Sequence, residues 1–140
     1  CYDELGYGKA IKNGDKTSFE SISIEAVPAY NIVHKRPDGE YYHPKGRGNG
    51  YVFTFGKLRV YVAADTENIP EMKALKGVDI AFLPKNTPYT MTDEMFIDAT
   101  KTLSPRYLYP YHFSEFDSEK ITKAINNKSI KILVRPMKNK

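Results

Sequence analysis

Two polar side chains follow apolar, strand-like segments of this sequence, and both belong to residue types that do chemistry. Asp65 comes just after the segment Leu58–Ala63, and His112 follows the short segment Tyr107–Tyr109. Ligands of α/β proteins gather beyond the carboxyl ends of strands, so both side chains are expected along one sheet edge. An imidazole beside a carboxylate suits a metal site or general acid–base catalysis. Singly, each residue also has a structural interpretation, Asp65 as a turn or cap residue and His112 as a hydrogen-bonded loop histidine.

The neighbouring polar residues help to decide between the functional and the structural interpretation of Asp65. Asn68, followed by Glu71 three residues later, resembles a capping box and is better placed than Asp65 to start the next helix. Asp65 is therefore left without an obvious structural role. His34 and His43 lie nine residues apart in a loop, a spacing that matches no metal-binding signature.

Other common catalytic and ligand-binding motifs are missing from the sequence. The glycine-rich segment 45–50 does not end in Gly-Lys-Ser/Thr and leads into a strand, so it reads as a flexible turn rather than a phosphate-binding loop. No Gly-x-Ser-x-Gly nucleophile motif is present. The single cysteine, Cys1, excludes an internal disulfide and a thiolate zinc cluster.

Strands and helices are expected to position these residues. In the first part of the chain, alternation predicts a strand at 19–27 that ends at Pro28, a long loop at 29–50, and a hairpin of strands 51–55 and 58–63 around Gly56-Lys57. The second part predicts helices at 68–75, 92–103 and 118–126 and strands at 78–83, 107–109 (closed by Pro110) and 130–134. Met95, Ala99 and Leu103 form the expected buried stripe of the second helix, and Ile121 and Ile125 that of the third. The alternation after residue 58 favours a layered α/β architecture.

Composition predicts one globular domain spanning residues 1–140. Of these residues 41% are apolar and 27% are charged, and no apolar run approaches the roughly 20 residues of a membrane-spanning helix. We therefore expect a soluble protein with no membrane partner, and we favour the cytoplasm. The net charge of +4 includes a basic tail at 128–140, which we interpret as a solvated terminus; its basic residues are Lys128, Lys131, Arg135, Lys138 and Lys140.

An ordered set of short motifs runs through the chain from about residue 15 to residue 115. It comprises AVPAYN (26–31), HPKG (43–46), GY (50–51), VYVAADT (60–66), IPEM (69–72), VDIAFLP (78–84), YTM (89–91) and PYH (110–112). In this order and spacing, the set resembles the metal-dependent hydrolases of the metallo-β-lactamase superfamily, in the branch of the ascorbate-6-phosphate lactonase-like proteins. Any one of these pieces alone would be weak.

The resemblance implies an αββα sandwich with a metal site at one edge of two facing sheets. The aspartate of the family's strand-end Gly-Asp-Thr corresponds to Asp65 and would bridge two metal ions. The family's last metal-binding histidine corresponds to His112, and both residues would be catalytic through the metals. Asn31 and His43 are weaker candidate ligands. A zinc or manganese site of this kind activates water for the hydrolysis of a small ester, lactone or phosphate.

The chain also departs from the family pattern. It has no His-x-His-x-Asp-His string, so the resemblance implies about the C-terminal half of the sandwich, with no more than weak metal binding and no catalysis by this chain alone. Asn31 stands where many relatives have the histidine of Pro-Ala-x-His, which would shift metal preference from zinc toward manganese or magnesium. Ala64 replaces the usual glycine, and its methyl group would crowd the backbone and displace Asp65.

Two classes of function remain open. The first is a metal-dependent hydrolase, which we expect of the full-length protein. The second is a catalytically inactive module that binds a partner through the uncovered face of a half sandwich, either as a homo-oligomer or by pairing with the N-terminal half. Nucleic-acid binding through the basic tail and the tyrosines is a further alternative that we do not favour.

Overall fold

The described part of the chain forms one seven-stranded sheet with three helices. The computed structural model describes residue 8 and residues 10–135. The strands are β1 (Lys16–Phe19), β2 (Ile22–Ala29), β3 (Gly48–Phe55), β4 (Leu58–Val62), β5 (Ile80–Pro84), β6 (Tyr107–Tyr111) and β7 (Lys131–Ile132). The helices are a 3-10 helix (Pro70–Leu75), α1 (Asp93–Leu103) and α2 (Ser118–Ile125).

The strands lie in the sheet in chain order, from β1 to β7. The first four pair antiparallel through short connections, whereas β4, β5, β6 and β7 run parallel because a helix connects each pair. The layered α/β architecture is therefore confirmed. Parallel β4 and β6 end at the same edge of the sheet, and both candidate residues follow these ends. Among residues 10–135, no helix has both the length and the apolar character needed to cross a bilayer.

The core lies between one face of the sheet and the helices. Alternate strand residues are fully buried on this face, among them Tyr61, Leu83 and Leu108. Helix α1 is capped by the Thr92 hydroxyl, which accepts from the amide of Met95. The buried helix residues that complete the core are Phe96, Ala99, Thr100, Leu103, Ile121 and Ile125.

The other sheet face carries half-buried apolar and aromatic side chains. The register places Tyr51 opposite Val62, and Val62 next to Phe82, which in turn pairs with Tyr109. The rings of Phe82 and Tyr109 stack with centroids 4.9 Å apart. We call this surface the open face; it also includes Phe53, Val60, Ile80 and Tyr107.

The predicted single strand at 19–27 was wrong. The chain turns at Glu20-Ser21, with Glu20 in the left-handed region at φ 52°, so this segment forms the hairpin of β1 and β2. No glycine or asparagine marks the turn. Its only signal in the sequence is the polar pair Glu20-Ser21, which interrupts the alternation and was overlooked.

Two prolines lie within strands instead of ending them. Pro28 is the seventh residue of β2 and Pro110 the fourth of β6. Proline is tolerated where its missing N–H would face no partner strand. The pairings of β1 with β2 and of β7 with β6 stop before these prolines, so each lies on a locally unpaired strand edge.

Three further predictions needed correction. Asn68 does not cap the helix at 70–75; that helix has no side-chain cap, and Asn68 instead donates to Asp98 Oδ2 of α1. Met95 is only half-buried, and Phe96 takes the central position of the α1 stripe. The last strand is limited to Lys131–Ile132, so the predicted basic tail at 128–140 contains a strand, and its residues 136–140 lie outside the described residues.

Gly50 sets the distance between β3 and the end of β4. A Cβ atom at Gly50 would lie 2.8 Å from the carbonyl oxygen of Ala63 and 3.0 Å from that of Val62, closer than Cβ atoms come to backbone. We expect Gly50→Ala to lower the free energy of unfolding by about 1–3 kcal/mol, because β3 must move away from β4. Chemical denaturation measures this change, and an unaltered unfolding midpoint would contradict it.

Candidate metal centre

Asp65 and His112 lie side by side at the carboxyl edge of the parallel strands. Asp65 is three residues beyond β4, and His112 directly follows β6. The His112 Nδ1 atom is 3.2 Å from Asp65 Oδ1. The structure therefore brings together the two residues that were expected to share a sheet edge.

His43 approaches the same carboxylate from the loop between β2 and β3. Its Nε2 atom is 3.6 Å from Asp65 Oδ2. Each carboxylate oxygen of Asp65 thus faces a different imidazole, one from His43 and one from His112. His34, the other loop histidine, is not part of this group; its Nδ1 atom is 2.6 Å from Glu67 Oε1.

Asn31 lies behind His43. It is buried, and its side-chain oxygen accepts from the His43 amide at 2.9 Å and lies 2.8 Å from His43 Nδ1. Its Nδ2 group donates to Glu67 and to the Tyr89 carbonyl, which fixes the orientation of the amide. The Asn31 oxygen is therefore engaged by His43 and supports it, and the role of Asn31 as a metal ligand stays a prediction.

The contact with Asn31 determines the tautomer of His43. An amide oxygen can only accept, so His43 Nδ1 must carry a hydrogen. In the neutral ring, Nε2 then has a free lone pair, and this atom is the one that faces Asp65. A histidine whose second nitrogen donates to a carbonyl-type oxygen is the usual arrangement of a metal ligand.

Glu67 organises the loop that carries Asn31, and sequence reasoning missed it. This fully buried carboxylate accepts from three successive backbone amides, those of residues 32 to 34, at 2.6–2.9 Å. It also accepts from the Asn31 side chain and pairs with the His34 ring. Burial alone would raise the pKa of Glu67, but the hydrogen bonds from Asn31, His34 and Ile32 outweigh it and lower the pKa below its ordinary value. Glu67 is therefore a carboxylate that holds one turn of backbone in place.

Tyr111 fixes the backbone on the other side of Asp65. Its hydroxyl donates to the carbonyl oxygen of Ala64 at 2.7 Å. Burial, with a smaller contribution from the charge of Asp65, raises the pKa of Tyr111 well above its ordinary value. The hydroxyl therefore stays protonated and remains a donor.

Ala64 and His112 both have left-handed backbone conformations, with φ 57° and φ 53°. This region costs an L-residue about 1–2 kcal/mol, a cost that glycine avoids. The left-handed φ of Ala64 is a different effect from the predicted crowding of the backbone by its methyl group, which stays a prediction. Asp65 nevertheless lies beside both imidazoles.

Replacing Ala64 with glycine is expected to stabilise the chain. Glycine removes the cost of the left-handed conformation, but it also raises the entropy of the unfolded chain, which opposes folding. The net increase in the free energy of unfolding is expected to be about 0.5–1 kcal/mol. The matched control is Ala124→Gly in the exposed last turn of α2, where the backbone is helical and the same exchange should destabilise by about 0.5–1 kcal/mol. Denaturant titration of both variants measures the signs, and a loss of stability at position 64 would refute the strain.

The residues around Asp65 fit a metal site as part of a ligand set. Ligands of one tetrahedral ion with bonds of about 2.0–2.2 Å lie about 3.3–3.6 Å apart, and the two imidazole–carboxylate separations of 3.2 Å and 3.6 Å match this spacing. However, no group of three His, Cys, Asp or Glu side chains in residues 10–135 is arranged to hold one ion. Oδ2 with His43 Nε2 makes one pair of donor atoms, and Oδ1 with His112 Nδ1 makes another. A four-coordinate metal site needs three or four protein donors, so neither pair is a complete site.

Comparison with protein families identifies the superfamily to which the chain belongs. Residues 6–112, more than half of the chain, match the model of the beta-lactamase superfamily domain. The chain belongs to this superfamily. Its relatives include a UPF0173 metal-dependent hydrolase of Thermococcus onnurineus, 29% identical over 133 aligned residues that cover 89% of this chain and 57% of the relative.

Solved structures identify the metallo-β-lactamase fold of this superfamily member. The crystal structure of a candidate metal-dependent hydrolase from Parabacteroides distasonis is 47% identical with a TM-score of 0.86, covering 98% of this chain and 61% of that chain. The metallo-beta-lactamase fold protein YhfI of Bacillus subtilis has a TM-score of 0.67 at 11% identity, covering 96% of this chain and 57% of YhfI, and shows the fold alone. The chain thus spans little more than half the length of these relatives. The names of the hydrolase relatives describe those proteins as metal-dependent.

Proposed function

We propose that the full-length protein is a metal-dependent hydrolase of a small ester, lactone or phosphate, with Asp65, His43 and His112 as ligands. The observation that carries this proposal is the approach of His43 Nε2 to Asp65 Oδ2 at 3.6 Å. Because Asn31 fixes the proton on the other ring nitrogen, a lone pair and a carboxylate face each other. Such a pair is favourable when a positive charge lies between them, either a proton on the ring or a metal cation, and the metal-dependent relatives favour the cation.

The two oxygens of Asp65 support a bridging role for this carboxylate. Oδ2 faces His43 and Oδ1 faces His112, so each oxygen has its own imidazole partner. A bound divalent metal would lower the pKa of water to about 7 and supply hydroxide for hydrolysis. Nitrogen and oxygen donors of this kind suit zinc or manganese.

The chain's own residues contribute the positions of these donors. Glu67 holds the turn that carries Asn31, and Asn31 orients His43. Tyr111 holds the carbonyl of Ala64, next to Asp65. The ligands are therefore supported from two strand ends and one loop, which limits the reorganisation needed when a metal binds.

Metal removal from the full-length protein tests this proposal. The purified protein is analysed for bound metal, dialysed against a chelator, and assayed on simple esters, lactones and phosphate esters before and after adding back zinc or manganese. We expect stoichiometric metal, loss of hydrolysis on chelation, and recovery with one of the ions. A protein without divalent metal, or hydrolysis indifferent to the chelator, would overturn the assignment.

The open face favours a second candidate function, association. Its half-buried side chains form a continuous apolar surface across β3, β4, β5 and β6, centred on Phe82 and Tyr109. The relative from Parabacteroides distasonis has 39% of its length outside the matched region, enough for a second sheet. We propose that a second sheet of the full-length protein covers this face, and that the 140-residue chain alone forms dimers through it and is inactive.

Sedimentation of the 140-residue chain tests the association. We expect a concentration-dependent dimer that is weakened by Phe82→Ser on the open face. The control is Ala124→Ser, an exposed apolar residue of α2, the helix that packs on the opposite face of the sheet. A monomer at high concentration would contradict the proposal, as would robust metal-dependent hydrolysis by this chain.

A further inference from the structure

The cleft beside Asp65 contains two arginines that the proposed metal site does not use. The cleft has a volume of about 610 Å³ and is lined by Arg36 and Arg47 together with Asp65, His43 and Tyr111. This volume falls within the range of sites for small molecules. Two arginines and one aspartate therefore line the same cleft.

Neither arginine has an ion-pair partner among residues 10–135. Lysines in comparable positions do: Lys45, from the same loop, pairs with Glu71 at 2.8 Å, and Lys85 pairs with Asp93 at 2.9 Å. No carboxylate within the described range lies at ion-pair distance from Arg36 or Arg47. The charges of these arginines are thus available to a ligand in the cleft.

Arg36 is held in place without losing its charge. Its Nη2 group donates to the Tyr42 carbonyl at 3.0 Å, and its guanidinium carbon lies 5.8 Å from the centre of the Tyr42 ring. Stacking and one hydrogen bond leave its other N–H groups free. Arg47 makes no side-chain hydrogen bond within residues 10–135.

We infer that Arg36 and Arg47 bind an oxyanion, a phosphate or carboxylate group, of the small molecule that occupies this cleft. Guanidinium forks bind both kinds of oxyanion in a bidentate manner. The inference deepens the proposed function, because it assigns to the same site a substrate that carries an oxyanion apart from the bond cleaved at Asp65. It also assigns two specificity-determining residues, since a neutral ester of the same size leaves both charges without a partner.

Oxyanion binding by the metal-free full-length protein tests the inference. Inorganic phosphate and acetate are titrated into chelator-treated protein, and dissociation constants are measured by calorimetry or from NMR shifts. We expect Arg47→Gln to weaken binding of the preferred ion about 10-fold or more. The ion that binds more tightly in this Arg47-dependent manner distinguishes a phosphate from a carboxylate as the recognised group.

Three further variants sharpen the result. Arg47→Lys keeps the charge but not the fork, so its affinity should lie between those of Arg47→Gln and the wild type. Arg36→Gln should weaken binding as well, although it also removes the contact with Tyr42. The matched control is Lys57→Gln in the exposed turn between β3 and β4, which should bind both ions as the wild type does. Equal affinity of Arg47→Gln and the wild type, or no binding by the wild type, would overturn the inference.

The outcome separates this inference from the proposed function. If the protein as purified holds no divalent metal and still binds an oxyanion in an Arg47-dependent manner, the oxyanion site stands and the hydrolase assignment fails. Metal-dependent hydrolysis with no effect of Arg47→Gln on anion affinity would do the reverse.

Discussion

Glu67→Gln is expected to lower the free energy of unfolding by about 2–4 kcal/mol, because it places an amide group against donors. Oε1 of Glu67 receives the His34 amide, the His34 ring and the Asn31 side chain, and Oε2 receives the amides of Ile32 and Val33. Whichever end of the glutamine carries the NH2 group then faces at least two N–H donors. At least two buried donors would lose their acceptor, which is the costly way to break a buried network.

The pH dependence of stability gives a second test of Glu67. Its pKa is lower in the folded chain than the ordinary carboxyl value of 4.5. Its contribution is therefore fully present above about pH 4.5 and is lost as the pH falls through the folded pKa. We expect the stability difference between wild type and Glu67→Gln to shrink below pH 4.5. A difference that is constant down to the lowest pH at which both fold would contradict the ionised carboxylate.

The matched control is Glu40→Gln, which changes an exposed glutamate of the same loop. Chemical denaturation should give a change of less than about 0.5 kcal/mol for this variant. An equal loss of stability in both variants would mean that charge, and not the hydrogen bonds of Glu67, determines the effect.

Asp65→Asn is expected to abolish the proposed hydrolysis with little loss of stability. The change removes the negative charge that both imidazoles face, at 3.2 Å and 3.6 Å, and replaces one oxygen with an NH2 group that cannot bind metal. Loss of metal-derived stabilisation worth several kcal/mol corresponds to a fall in kcat/KM on the order of 10³-fold. The measurement combines metal content, by elemental analysis of the full-length protein, with kcat/KM on whichever substrate it hydrolyses.

Asp98→Asn is the control for Asp65→Asn. Asp98 is an exposed aspartate of α1 that contacts Asn68, and it lies in a different part of the fold. Its substitution should leave metal content and kcat/KM unchanged. If Asp65→Asn binds as much metal as wild type, Asp65 is not a ligand, and the proposed centre fails with it.

Sequence reasoning found the strand-end residues because their placement depends on local patterns. The apolar runs before Asp65 and His112 predict strands, and the intervening helices make these strands parallel, so both residues reach one edge. The order and spacing of the short motifs predicted both the superfamily and the fold. The starts of the helices predicted at 92–103 and 118–126 also agree with the structure, since the observed caps, Thr92 and Asp117, accept from amides only three residues away.

What sequence reasoning missed depends on contacts distant in the chain. The Glu67 carboxylate accepts hydrogen bonds from backbone amides 33 to 35 residues away. No sequence spacing predicts such long-range contacts between a carboxylate and backbone amides. Asn68 looked like a cap because Glu71 follows it, yet its partner is Asp98, thirty residues away. The supposed cap had served to argue that Asp65 is functional, so that part of the reasoning fails. The contacts of Asp65 with the two imidazoles now support it instead.

The hydrogen bonds between Glu67 and the turn at 32–34 also determine how this site can be transferred between proteins. The loop between β2 and β3 supplies His43, but the carboxylate that shapes it lies two residues beyond Asp65, at the end of β4. If the loop alone were grafted into another scaffold, the graft would contain His43 but not Glu67, and the loop would lose the hydrogen bonds that hold its conformation. The smallest portable unit is the loop together with residues 65–67, so the proposed metal site is a discontinuous module whose two segments must be moved, redesigned or diversified as one.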